Sequence, residues 1–277
     1  MSLRAFRDAD RPALEAFLRR DVATSMFPLS NLLGSGLPMQ MWIAGAAGRG
    51  AGFLGLASNG NLMPQWPGGD WAQAAPLLAG QAVAGLLGPA DQCDGLMQAL
   101  GLAQRARMKS TVEPGLTLRL ADLVLPDCSG VRLTVATASD EAQMTRWRAQ
   151  ANSELLGMEA RAAQALAITE VRRMIERGTH RLLWQGDRAV AMAGINAAIP
   201  GCVQVGAVFT PPDCRGLGFA RRVVGLMLQG LRAEGVETAC LFAASPEAVR
   251  AYRAIGFQPS HSFGIHLFAS PAVITWP

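Results

Sequence analysis

Lysine is nearly missing from this 277-residue chain: of 25 Lys and Arg residues, only Lys109 is lysine. It follows Met108 rather than a glycine, which excludes the Gly-Lys-Ser/Thr ending of a Walker-type phosphate loop. Tyrosine occurs once, as Tyr252, and aromatics make up 6% of the chain. Without basic tracts interleaved with stacking rings, a nucleic-acid partner is not expected. Histidine is scarce too. His180, His261 and His266 make no metal-like spacing with Cys93, Cys128, Cys202, Cys214 or Cys240, and no Cys-x-x-Cys occurs. Reduced thiols and no structural metal follow, as in a cytoplasmic protein. Residues 1–20 are charged and periodic, without the apolar core of a signal peptide. Residues 189–212 carry no charge, but Asn196, Pro200, Gly201 and Gln204 interrupt them. They read as two strands about a turn, so no membrane span is expected.

What is present is apolar and arginine-rich. Half the residues are hydrophobic and the formal net charge is +4, enough core for two domains and a mild bias towards an anionic ligand. Abundant Ala, Arg and Gly beside scarce lysine point to a GC-rich bacterial genome.

The chain is organised around residues 203–257. An apolar β-branched run, 203–210, reads as a buried strand. Pro211 and Pro212 end it, and Gly216 and Gly218 open a loop. An amphipathic helix follows, with Ala220, Val223, Val224, Met227, Leu228 and Leu231 at helical spacing on one face. A glycine loop feeding a helix start is an anion site, because first-turn N–H groups lack partners and the positive dipole end lies there. A dinucleotide fingerprint does not fit: after Gly216 and Gly218 its third glycine is missing. What stands there is Arg215-Gly216-Leu217-Gly218-Phe219-Ala220, an Arg-x-x-Gly-x-Ala pattern. A strand at 237–243 comes next, then a helix with Ser245 as N-cap, Pro246 in its first turn and Gly256-Phe257 closing it.

This constellation resembles the GNAT (Gcn5-related N-acetyltransferase) superfamily. There the Gln/Arg-x-x-Gly-x-Gly/Ala loop binds pyrophosphate, and a later helix carries a Tyr four residues before Gly-Phe. The resemblance spans about 131–268 and departs at Ser245, where the family usually has Asn. It implies an α/β (α+β) fold with a mixed, mostly antiparallel sheet flanked by helices. It also implies acetyl-CoA as co-substrate, with Val208, Phe209 and Thr210 pairing its pantetheine arm. Arg215, Gly216, Leu217, Gly218, Phe219 and Ala220 would hold the pyrophosphate, and Ser245 would complete the cofactor site. Tyr252 would protonate the leaving thiolate, though on its helical face it also fits a core position. The central strands offer only Gln204 and Asn196 as polar groups, so Glu154, late in a helix, is the candidate base or amine ligand.

Ahead of that region, strand 131–135, helices from 139 and over 159–177, and strands at 180–184 and 189–197 follow the family order. The first half reads as a helix over 8–21 and a hairpin of 41–46 with 52–57 about Gly48-Arg49-Gly50. Then come a helix over 71–78, a strand at 81–87, a helix over 91–100 and a strand near 116–124. The pattern Gly50-x-Gly52-x-x-Gly55 is followed by turn residues rather than a helix, which argues against a nucleotide site. Gly101-Leu102 echoes Gly256-Phe257, and Met97 stands where Tyr252 stands. The loop before the first-half helix offers Asp70, a carboxylate, where pyrophosphate needs donors. Hence the expectation is a tandem: a degenerate GNAT-like domain over 1–126 and a GNAT domain over 131–277, as monomer or homodimer. An unrelated first domain is the alternative reading. The expected activity is acetyl transfer to a small-molecule or amino-acid-like amine. The alternatives are a longer acyl-CoA, an acceptor other than an amine, or a non-catalytic acyl-CoA-binding regulator.

Overall fold

The computed structural model describes residues 2–45 and 52–276. The turn expected at Gly48-Arg49-Gly50 lies outside them. The chain divides into two compact units, Met1–Gly115 with His261–Pro277, and Leu116–Ser260. This differs from the boundary expected at 125–130. The division falls inside two long strands, β6 (Arg107–Arg119) and β12 (Gln258–Val273), and the last strand belongs to the first unit. Packing explains it: Phe268, Ala272 and Ile274 are buried in one cluster with Trp42, Leu54, Leu78 and Leu96.

In the first unit, β1 (Leu3–Ala5), β2 (Met39–Ala44), β3 (Gly52–Ala57) and β4 (Asn61–Gln65) are antiparallel neighbours. Then β5 (Ala82–Pro89) runs parallel to β4, and β12 pairs antiparallel with β5. The expected helix over 8–21 is broken into α1 (Arg11–Leu18) between two 3-10 turns, and α2 (Val22–Leu32) follows, with Pro28 inside it. α2 escaped the sequence reading because it is buried nearly all round, including Thr24, Ser25 and Ser30, and so lacks a polar face. β4 escaped it as well, since it is short and contains Pro64. α3 (Ala74–Leu78) and α4 (Ala90–Ala99) complete the unit. Gly52 and Gly55 have a packing role: a Cβ at Gly52 would collide with the Trp66 indole, and one at Gly55 with Phe53 and the Met39 sulfur.

In the second unit, β7 (Arg132–Val135), β8 (His180–Gln185), β9 (Arg188–Ile199) and β10 (Cys202–Phe209) form an antiparallel run. β11 (Thr238–Phe242) is parallel to β10. α7 (Phe219–Ala233) connects these two strands, and α8 (Pro246–Arg253) follows β11. One core gathers Val203, Val205, Val223, Val224, Leu228, Leu241, Tyr252 and Phe257. A second core packs Met144, Trp147 and Ala151 of α5 (Glu141–Leu156) and Val171 of α6 (Ala160–Glu176) on Leu182, Met192 and Phe209. Both units therefore have the mixed, mostly antiparallel, helix-flanked sheet the sequence implied. The apolar stretch 189–212 is β9, a turn and β10, and no helix among the described residues is long and apolar enough to cross a membrane.

Candidate active site

The site begins where β10 leaves β11. Their parallel register covers only residues 202–204 against 238–240. Two register shifts against β9 follow, one between Gln204 and Val205 and one between Gly206 and Phe209. Inside the second, Ala207 has φ 49°, a left-handed conformation costing a non-glycine residue roughly 1–2 kcal/mol. Bulge and early divergence together free the strand's far end from the β11 ladder, leaving backbone groups of residues 206–209 for a ligand.

The loop after β10 then turns sharply. Gly216 and Gly218 have φ of 80° and 79°, and Gly218 is the N-cap of α7 with no side chain bonded to the helix end. A Cβ at Gly216 would meet nothing within 4 Å. The first-turn amides of α7 are thus left for an anion, and the loop fits a pyrophosphate. Phe219 and Cys214 are buried beneath it, Leu217 is exposed, and Asp213 pairs with Arg188 of β9 rather than facing the helix end.

Arg215 and Glu154, far apart in sequence, meet here. Arg215 Nη2 donates to Glu154 Oε2 at 2.8 Å and its Nε donates to the Thr210 carbonyl at 3.1 Å. Its guanidinium lies 5.9 Å from the Phe209 ring centroid, and Phe209 in turn packs at a tilt of 39° against Trp147, with centroids 5.9 Å apart. Gln150 Nε2 holds the other Glu154 oxygen at 2.8 Å. The Thr210 hydroxyl is buried with no partner among the described residues.

Ser245 caps α8, its hydroxyl accepting from Ala248 N at 3.2 Å. Gly256 ends that segment at φ 105°, where a Cβ would lie 2.7 Å from the Asp122 carbonyl oxygen. Tyr252 is buried beside Phe257, with ring centroids 6.0 Å apart. Among the described residues, none hydrogen-bonds its hydroxyl. Burial pushes the phenol up from 10, so it keeps its proton across the physiological range.

Polar residues of β8, β9 and β10 form a second feature that sequence reading caught only in part. His180 is buried, its Nδ1 is 2.9 Å from the Thr179 hydroxyl, and its Nε2 has no partner among the described residues. A Cβ at Gly194 would run into this imidazole, and one at Gly206 into the Asn196 amide. The two glycines, paired across the strands, are the signal that such side chains lie flat on the sheet. Buried Gln204 also has an unpartnered Oε1. Burial, then Arg148 and Arg181, lower the His180 pKa to about 4. Because the unfolded chain binds that proton near 6.5, stability falls as pH drops from about 6.5 to 4. The shift corresponds to about 3 kcal/mol. Urea unfolding at pH 7 and pH 4.5 should show this loss in the native sequence and a much smaller one in His180→Gln. Equal losses in both would place the acid sensitivity elsewhere.

The first unit repeats the frame, and its parallel register of β4 with β5 is also short, Asn61 against Gly85 and Leu62 against Leu86. Leu102 N donates to Met97 O at 2.8 Å, as Phe257 N donates to Tyr252 O at 3.2 Å. Yet Pro64 fills the space beside Gly88 where β4 and β5 would part. Asp70 takes the Ala72 amide at 3.2 Å, Gln92 takes the Trp66 amide at 2.6 Å, and Trp66 packs edge-on against Trp71. Two amides around this loop are thus already taken, and a Cβ at Gly69 would collide with the Trp66 indole. Among the described residues no group of His, Cys, Asp and Glu could hold a metal ion.

Comparison with known proteins agrees with this geometry. Residues 135–264 match the family model of the acetyltransferase (GNAT) domain. No curated protein matches the chain in sequence. Several solved structures match in fold. A GNAT-family acetyltransferase from Colwellia psychrerythraea is 14% identical, with TM-score 0.54 over 97% of this chain and 100% of its own. A GCN5-related N-acetyltransferase from Kribbella flavida is 17% identical, with TM-score 0.56 over 96% and 97%. A tandem GNAT protein from the clavulanic acid biosynthesis pathway is 16% identical, with TM-score 0.55 over 97% and 98%.

Proposed function

We propose, from the premise that residues 135–264 are a GNAT acetyltransferase domain, that this protein transfers acetyl from acetyl-CoA directly to an amine. The acceptor is a small-molecule or amino-acid-like amine. One observation carries the reading: β10 departs from β11 at the strand end that feeds the left-handed Gly216 and Gly218 loop and the open start of α7. The amides of residues 215–220 hold the pyrophosphate, and backbone groups of 208–210 pair the pantetheine arm. An N–H near Phe209 polarises the thioester carbonyl as the amine attacks. The amine attacks as the free base and its N–H proton leaves to water, while Tyr252 gives a proton to the departing sulfur and regains one from water. Strands β8, β9 and β10 carry no carboxylate, so positioning and oxyanion stabilisation supply most of the rate.

Calorimetry with acetyl-CoA should give one equivalent per chain. Hydrogen exchange should show protection at residues 208–220 and none at 65–72. Two equivalents, or protection in the first unit, would overturn the assignment of a single site. A thermal-shift comparison of acetyl-CoA, a long-chain acyl-CoA and CoA tests the acyl group. Thiol release with an amine library then separates an enzyme from a protein that only binds.

A further inference from the structure

We infer that Arg215 and Glu154 form a charge latch: the pyrophosphate draws Arg215 away from Glu154, and the freed carboxylate then receives a cationic acceptor. The inference rests on the acetyl-CoA reading above. Arg215 belongs to the loop that presents its amides to the anion, yet its side chain turns back from that helix end. It is held by Glu154 at 2.8 Å and by the Thr210 carbonyl at 3.1 Å, and it covers the Phe209 ring. In that pose its Nε and Nη2 are both engaged, so a phosphate at the start of α7 competes with the α5 carboxylate for the same guanidinium. The pair is easy to open, because its side chains are 49% and 39% exposed and such ion pairs are weak.

A pyrophosphate carries more negative charge than one carboxylate and sits where the α7 dipole and free amides add to Arg215's pull. Once Arg215 moves, Glu154 retains, among the described residues, only the neutral Gln150 amide at 2.8 Å. An unpaired carboxylate at the end of α5 then favours an acceptor that arrives protonated. Acceptor affinity is thereby coupled to donor binding through one side chain with two alternative partners.

The test is a double-mutant cycle on CoA affinity, read by calorimetry without any amine. Glu154→Gln releases Arg215 from its competitor, so CoA should bind roughly two- to five-fold more tightly, the scale of an exposed ion pair. Arg215→Gln should weaken CoA, and in that background Glu154→Gln should no longer tighten it. For cationic acceptors found by thiol release, Glu154→Gln should raise KM about ten-fold or more while CoA binding stays intact or improves. Unchanged or weaker CoA binding in Glu154→Gln, or a gain that persists without Arg215, would overturn the latch alone. Failure of the native chain to bind CoA would overturn the acetyl-CoA reading and the latch with it.

Discussion

Tyr252→Phe should lower turnover by roughly 10²–10⁴-fold, the usual scale for a positioned proton donor. CoA affinity and melting temperature should hardly move. The ring packs in the core against Phe257, and Phe preserves that ring while removing only a hydroxyl that no described residue bonds. Burial raises the phenol's pKa, so ionisation of Tyr252 should not limit activity below pH 10. The sign follows from linkage: the folded state holds the proton more tightly, so this group costs stability only as pH rises above the unfolded value. Tyr252→Ala reports on packing instead, with a loss of about 3–5 kcal/mol from the cavity left in a buried cluster. Steady-state kinetics and urea unfolding on both variants separate the roles. Full turnover in the Phe variant would leave Tyr252 as core alone and point to water as the proton donor.

Gly218→Asp should abolish CoA binding, with a loss of roughly 10²-fold or more by calorimetry from setting like charges together at the helix end. The structure adds a backbone cost to this expectation. Gly218 has φ 79°, where a side chain is strained by roughly 1–2 kcal/mol, and its Cβ would lie 3.1 Å from Arg221 Nε. The arginine end is flexible, so the fold should survive. Gly235→Ala is the control: φ is 93°, nothing lies within 4 Å, and the residue sits beyond the far end of α7. It should carry a similar backbone cost and leave CoA affinity unchanged. Loss of binding in both variants would trace the effect to strain rather than to the site.

Local chemistry made much of the second unit legible. A glycine loop, a polar N-cap and a glycine stop each act within a few residues, so Arg215–Ala220, Ser245 and Gly256 could be read from spacing. The structure then supplied the left-handed φ values and the cap bond those residues require. The bounds of α6 were equally plain, although its buried face is Ala163, Ala167 and Val171, and Leu166, expected inward with Val171 and Ile175, stays exposed. In the first unit the same rules failed where an element is buried all round, as in α2, or where a proline interrupts a strand, as in β4.

By itself the sequence determined the order of the elements from residue 131 onward, the anion-ready loop, and the spacing of Tyr252 before Gly256. These depend on backbone preference and periodicity, which are local. Which unit receives the last strand was left to the tertiary structure, because alternation marks a strand without choosing its partner. It also decided that Glu154 and Arg215, 61 positions apart in the chain, meet, and that Gly194 and Gly206 are bare so that His180 and Asn196 can lie over them. Such contacts are set by how strands register and helices pack, and no short stretch of chain encodes them.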